Sequence, residues 1–363
     1  MTAYLIRRFL LIIPTFFGIS IVTFAVLQLT PGNPVFQRLQ RLRGAMGAEN
    51  ISPEIIEQTK KLYGFDKPLP VRYVVWMGKL VRFDFGDSYT DNRPVLTKIR
   101  ERLPVTLQLN VISLLLMYAI SIPLGVFSAT HQGSRRDSLI TFILFILYSL
   151  PSFWVAMLLM YFFCGGSGSD SLHDLVARGF AVVGLANAGW AKWLLEHVFH
   201  FSWFPIYGVN SDGAQNWPFH RWLLDRTWHF VLPVFCLSYA SFAIMSRYAR
   251  AGMIEVVRQD YIRTARAYGF SERTVIYKYA LRNSLIPLIT VFGAVLPSLI
   301  AGSVIIESIF SIPGLGLLFY DSITQRDYTV VMGLFSVTAV LTMFGLILSD
   351  VLYALVDPRI TFK

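Results

Sequence analysis

The chain has 363 residues, of which 55% are hydrophobic and only 15% charged, and its mean hydropathy is +0.54. So apolar and sparsely charged a composition excludes an ordinary soluble domain and points to a membrane protein. The net charge of +10 falls mostly at the ends of apolar runs and in loops, with no nucleic-acid motif beside it. It therefore reads as topology and contact with anionic lipid, not as nucleic-acid binding.

A helix needs roughly 20 residues to cross a bilayer core of about 30 Å. Six apolar segments meet that length, at 9–29, 105–129, 138–163, 229–250, 284–306 and 330–355. The first follows Arg7 and Arg8, exceeds a secretory-signal core in length and runs into "QLTPGNP", which has no small-x-small cleavage site. An uncleaved membrane helix is expected there. The segment 31–103 is expected outside the membrane: Ser52 as N-cap, Pro53, Glu54 and Gly64 delimit one short helix. In "PVRYVVWMGKLVRFDFG", Val71, Val74, Val75 and Gly78 fall on one helical stripe. A second outer segment, 165–228, starts Gly/Ser-rich and becomes dense in tryptophan, which suits a membrane interface. No internal repeat and no linker between soluble domains is visible.

Arginine and lysine are retained on the cytoplasmic side of short loops. Arg7 and Arg8, "HQGSRRD", the 251–283 loop and the terminal "DPRITFK" share one side if the N-terminus is cytoplasmic, so both termini are expected in the cytoplasm. On the other side, the short connection 307–329 has Arg326 beside Glu307, Asp321 and Asp327.

The third of these basic stretches ends in "YIRTARAYGFSERTVIYKYALRN". As a helix it sets Tyr261, Ala265 and Tyr268 on one face, with Arg263 and Arg266 on a neighbouring one. Small Ala265 and Ala267 permit close approach, Gly269 suits a left-handed helix end, and Ser271 with Glu272 suits the start of a second helix. Chemistry alone leaves two readings open: a loop whose arginines obey topology and bind lipid phosphate, and a docking helix for a cytoplasmic partner.

Other candidates carry competing readings as well. Pro287, Gly293, Pro297 and Gly302 interrupt the fifth span, either to kink it for packing or to line a route through the membrane. Glu307 opens a turn-rich stretch with Pro313, Gly314 and Gly316; it reads as a solvated helix-end acid or a gate residue. Asp350 reads as a structural or interfacial carboxylate. Cys164 and Cys236 lack any metal or redox spacing and read as packing residues. The chain has no GxxxxGK[ST] loop and no buried ionisable relay of a proton-coupled carrier, so for a transporter that runs on ATP the hydrolysis is expected on another chain. An enzymatic alternative is an intramembrane serine protease: "GGSG" contains Ser167, and His197, His200 and His229 lie downstream. Nothing fixes a serine to histidine distance in that Gly/Ser stretch, and "EHVFH" lacks the HExxH order of a metalloprotease.

"YIRTARAYG" followed by "ALRNSLIP" resembles the EAA loop of ABC importer permeases, in the form used by the dipeptide, oligopeptide and nickel importer class. Arg263, Thr264, Ala265, Arg266, Ala267 and Gly269 match the loop's core, with the leading acid and first alanine replaced; Arg282 stands where the wider family often has proline. "YLIRRFLLIIPTFFGISIVTFAVLQLTPGNP", "YGFDKPLPVRY", "RFDFGDSY", "ESIFSIPGLGLLFYDSITQRDY" and "DPRI" are similar to the same class, so the resemblance covers almost the whole chain; the insert around 167–200 departs from it.

The resemblance implies an all-α, six-span permease of the type I importer fold, divided as 1–30, 31–103 and 104–363, in the bacterial inner membrane. It implies a coupling helix formed by Tyr261, Arg263, Thr264, Ala265, Arg266, Ala267 and Gly269 and seated in an ATPase cleft, with Gly293, Pro297, Gly302 and Glu307 along the path or gate. The implied partners are a second permease in a heterodimer, an ABC ATPase (fused or in two copies) and a periplasmic peptide-binding protein. ATP and Mg would be bound on the partners, with no cofactor on this chain. The implied function is peptide import by alternating access, as in the B-type permeases, including that of the importer which also admits the peptide-nucleotide antibiotic microcin C. A non-peptide solute such as nickel is the alternative within the class.

Overall fold

The computed structural model describes residues 2–29, 57, 67–164, 188–190, 203–295, 299 and 302–356. Among them every regular element is a helix, the arrangement that satisfies backbone N–H and C=O groups without water. In chain order these are α1 (Thr2–Leu29), α2 (Leu69–Val81), α3 (Val95–Thr130), α4 (Arg135–Ser149), α5 (Ser152–Phe163), α6 (Phe219–Val257), α7 (Asp260–Ala267), α8 (Ile286–Val295), α9 (Val304–Ile309), α10 (Leu315–Thr324) and α11 (Tyr328–Val356). Short helical turns fill 272–284 between α7 and α8. By length and composition α3, α6 and Tyr328–Ser349 of α11 can each cross a membrane, and α4 with α5 qualifies as a bent pair.

Two expected spans are broken. The 138–163 segment bends by 96° between α4 and α5, because Pro151 has no N–H to continue the ladder and holds Leu150 extended at ψ 129°. The carbonyl freed at Leu150 accepts a hydrogen bond from the buried Tyr239 hydroxyl at 2.6 Å. The expected continuous helix 284–306 is interrupted as well: Gly302 takes a left-handed φ of +71°, and Ser303 caps α9 by accepting from Ile306 N at 3.3 Å. Conversely, α3 starts ten residues ahead of the expected 105, inside the segment read as outer, and α6 overruns 229–250 at both ends. Apolar length marks only the part of a helix matched to hydrocarbon, and polar flanks such as "FHRWLLDRTW" remain helical beyond it.

α3 and α6 meet at backbone distance. A Cβ on Gly125 would overlap Ala249 Cβ and come within 2.6 Å of Ser246 O, and one on Gly252 would lie 2.6 Å from Ser284 O. Small residues at such crossings let helices gain dispersion contacts that side chains would block. Cys164 and Cys236 are buried in one apolar cluster with Leu109, Phe230, Ile306 and Ile312, as expected of packing residues. Arg250 of α6 pairs with buried Asp137 of α4 at 2.9 Å. α2 packs on α1 through Tyr73, whose hydroxyl is 2.8 Å from Ser20 Oγ, and through Trp76 against Phe24. Its Val71, Val74, Val75 stripe stays exposed. The short helix expected at Ser52 to Gly64 lies outside the described residues except for Glu57, which is helical.

Candidate functional site

α7 follows α6 after an extended Gln259, with Asp260 in its first turn, where the helix dipole favours an acid. Ile262 (0% exposed) and Ala265 (6%) anchor it in a cluster with Val126 of α3, Met253 of α6, Val275 and Ala280. The helix ends at Tyr268 and Gly269, whose φ is +78°. Gly269 N donates to Arg266 O at 2.9 Å and Phe270 N to Ala265 O at 3.4 Å. Those two bonds form the paired closure of a left-handed helix end, which favours glycine. Ser271 Oγ then accepts from Thr274 N at 3.4 Å and caps the next turn, as the spacing predicts.

The turn is braced side chain to side chain. Arg266 Nε donates to both Glu272 carboxylate oxygens at 3.2 Å and Nη2 donates to Oε1 at 2.7 Å. These bonds hold the Glu272 carboxyl below the usual carboxylate range and push the Arg266 guanidinium up. Asn283 Nδ2 donates to Tyr261 Oη at 2.7 Å, closing the 261–283 stretch end to end. Arg263 pairs with Asp260 at 3.4 Å, both exposed.

Of the shared Tyr261, Ala265 and Tyr268 face, only Ala265 is buried. Ile262 replaces the tyrosines in the core, while Tyr261 is 41% and Tyr268 79% exposed and Ala267 is exposed too. Isoleucine carries no polar atom to satisfy, whereas a buried phenol needs a partner. Arg263, Thr264, Arg266, Phe270 and Tyr277 are exposed as well, so the stretch presents aromatics and arginines, the side chains enriched at the centres of protein interfaces. Sequence reasoning omitted Ile262, although an isoleucine three positions before a buried alanine is the signal of a packed helical face.

A second constellation lies at the other end of α3. Glu307 of α9 is 0% exposed, which overturns its reading as a solvated helix-end acid. Its Oε1 accepts from Thr106 Oγ1 at 3.1 Å and Ser303 N at 3.4 Å, and its Oε2 accepts from Leu317 N at 3.0 Å. Thr106 Oγ1 in turn accepts from Leu315 N at 2.7 Å. The carboxylate thus sits at the N-terminal turn of α10, where unpaired N–H groups and the helix dipole favour an anion. Three glycines make room for it: a Cβ on Gly314 would lie 2.6 Å from Glu307 Cδ, one on Gly316 3.0 Å from Oε2, and one on Gly302 3.0 Å from Oε1.

The expected path residues are therefore divided. Gly302 joins Glu307, Gly293 lies within α8, and Pro297 lies outside the described residues, as do Ser167, His197 and His200. His229 is buried on α6, with Nδ1 2.8 Å from Asp225 O. Asp350 lies in α11. Among the described residues no group of three or more His, Cys, Asp and Glu could hold a metal.

Residues 121–362 match the family of the binding-protein-dependent transport system inner membrane component, and residues 1–110 match the N-terminal part of the membrane component of such systems. The chain belongs to this family. Over its whole length it is similar to the oligopeptide transport system permease protein AppB of Bacillus subtilis, at 40% identity with 100% of both chains covered. The peptidoglycan transport system permease protein YejB of Agrobacterium fabrum is 34% identical, with 100% of this chain and 99% of that protein covered. The dipeptide transport system permease protein DppB of Escherichia coli is 33% identical with full coverage of both. This binding-protein-dependent component is a translocation subunit of the inner membrane and not an enzyme. The α7 turn and Glu307 with its three glycines fall within the matched 121–362 region, and Thr106 falls within the matched 1–110 region.

Proposed function

We propose that this chain is one of two permeases in an ATP-driven peptide importer and that α7 is its coupling helix. The observation that carries the reading is the division of α7 into two faces: Ile262 and Ala265 locked against α3 and α6, and an exposed Tyr, Arg and Phe surface pointing away. A helix so fastened transmits a push from a docked ATPase into α3 and α6, because close-packed interiors deform little. The braced turn, with Arg266 on Glu272 and Asn283 on Tyr261, keeps that surface in one shape. Loops rich in arginine are retained in the cytoplasm, which supports the reading of α7 and both termini on the ATPase side of a six-span bundle.

ATP and Mg would bind on the partner ATPase, fused or in two copies; this chain has no phosphate-cradling loop of its own. Closure of the ATPase pair around nucleotide would draw the α7 helices of this chain and a second permease together, rocking α3 and α6 between inward-open and outward-open states. A periplasmic binding protein would deliver cargo to the far side. The names of the relatives speak of oligopeptides, dipeptides and peptidoglycan, which favours peptides over nickel; peptide-nucleotide antibiotics such as microcin C fall within that cargo chemistry.

The test is Gly269→Asp. No atom lies within 4 Å of a Cβ at Gly269, so the side chain enters no packed core, but an acid at a left-handed position alters the docking surface and strains the turn by about 1–2 kcal/mol. In proteoliposomes holding the complex, peptide uptake is expected to fall about tenfold or more while subunit recovery stays near native. Unchanged uptake would remove the coupling role.

A further inference from the structure

We propose that Glu307 is a positioning residue: its carboxylate fastens the 302–317 segment to Thr106, so that α3 carries the motion of α7 to that segment as a single strut. The proposal rests on the coupling role of α7 and adds what lies at the other end of the same helix. Val126 of α3 packs in the cluster that holds Ile262, and Thr106 of α3 binds Glu307. Twenty residues of one helix, with Pro123 inside it, separate them, about 30 Å at 1.5 Å per residue. One helix therefore touches both constellations, and no other connection between them is needed.

The chemistry explains why a carboxylate stands there. Gly302, Gly314 and Gly316 give the segment a backbone with few conformational restraints, and the apolar contacts of Ile306, Phe310 and Ile312 with Leu109 are non-directional. The Glu307 oxygens bind Thr106 Oγ1, Ser303 N and Leu317 N, and Thr106 Oγ1 binds Leu315 N. These bonds join α3, α9 and α10 in one register. Sliding the segment along α3 would strip a buried carboxyl group of its donors, a change costlier than exchanging one apolar contact for another. The segment accordingly moves with α3 or not at all.

The experiment uses the whole complex in proteoliposomes, with a radiolabelled tetrapeptide, the binding protein and ATP, and reads peptide taken up per ATP hydrolysed together with complex recovered. Thr106→Val keeps the side-chain shape and removes the hydroxyl; Thr106→Ser keeps the hydroxyl; Glu307→Gln turns an N–H toward donors. Thr106→Val and Glu307→Gln are expected to lower uptake per ATP by about tenfold at near-native recovery, with Thr106→Ser close to native. An unchanged ratio in Thr106→Val, or an equal loss in Thr106→Ser, overturns the proposal. So does failure of Thr106→Val to assemble, which would make the cage an assembly determinant instead. Gly269→Asp in the same assay separates the two claims: native coupling there with a loss in Thr106→Val removes the docking role of α7 and leaves the fastening in place.

Discussion

Gly269, Ser271 and Glu272 occupy the places their chemistry predicts, because a left-handed helix end and a side-chain cap depend on neighbours within five residues. Glu307 shows the opposite case. Its partner Thr106 lies 201 positions away, and no local spacing reveals that three glycines and a threonine converge on one carboxylate. The Arg266 and Glu272 pair yields a pH prediction at this scale. Its folded-state carboxyl lies below the usual range, mainly through the hydrogen bonds from Arg266. The bracing is therefore complete above the ordinary glutamate range and is lost as pH falls through the depressed value. Both side chains are substantially exposed, so the effect is confined to the turn. Protection of the 269–275 amides, taken as exchange relative to the intrinsic rate at each pH, is expected to fall on acidification below the ordinary carboxylate range. Glu272→Gln is expected to show low protection at every pH; retention of the native pH dependence in that variant would exclude the pair as its cause.

Among the elements, the centres of the apolar helices were legible and their ends were not. Hydropathy located the middle of α3 and α6 but missed the Val95 and Phe219 starts, since polar flanks continue a helix once it is nucleated. The break between α4 and α5 hid inside an unbroken apolar run, although Pro151 stands at the bend. That break depends on a distant residue: Tyr239 of α6 donates its hydroxyl hydrogen to Leu150 O. Tyr239→Phe removes the donor with little change of shape and leaves a carbonyl unpaired in an apolar surrounding. A cost of about 1–3 kcal/mol is expected, read as a lower thermal midpoint of the purified complex. An unchanged midpoint would mean that the bend is held by Pro151 and packing alone.

For the whole molecule, composition placed the chain in a membrane, while the chemistry of the basic stretch at 261–283 left lipid contact and partner docking both open. Family membership confirms a binding-protein-dependent inner-membrane component. The described residues hold anchored apolar helices, a braced aromatic and basic turn at α7, and a caged carboxylate toward the other end of α3; the proposed function assigns the drive to the turn. In the proposed function, the energy for transport comes from nucleotide hydrolysis on a partner subunit. The most direct measurement is accumulation of a labelled tetrapeptide in proteoliposomes containing this chain with its partner subunits, in the presence of the binding protein and with or without ATP. Accumulation against a gradient that requires both ATP and the binding protein is the predicted result. Peptide entry that proceeds equally without ATP would contradict the account.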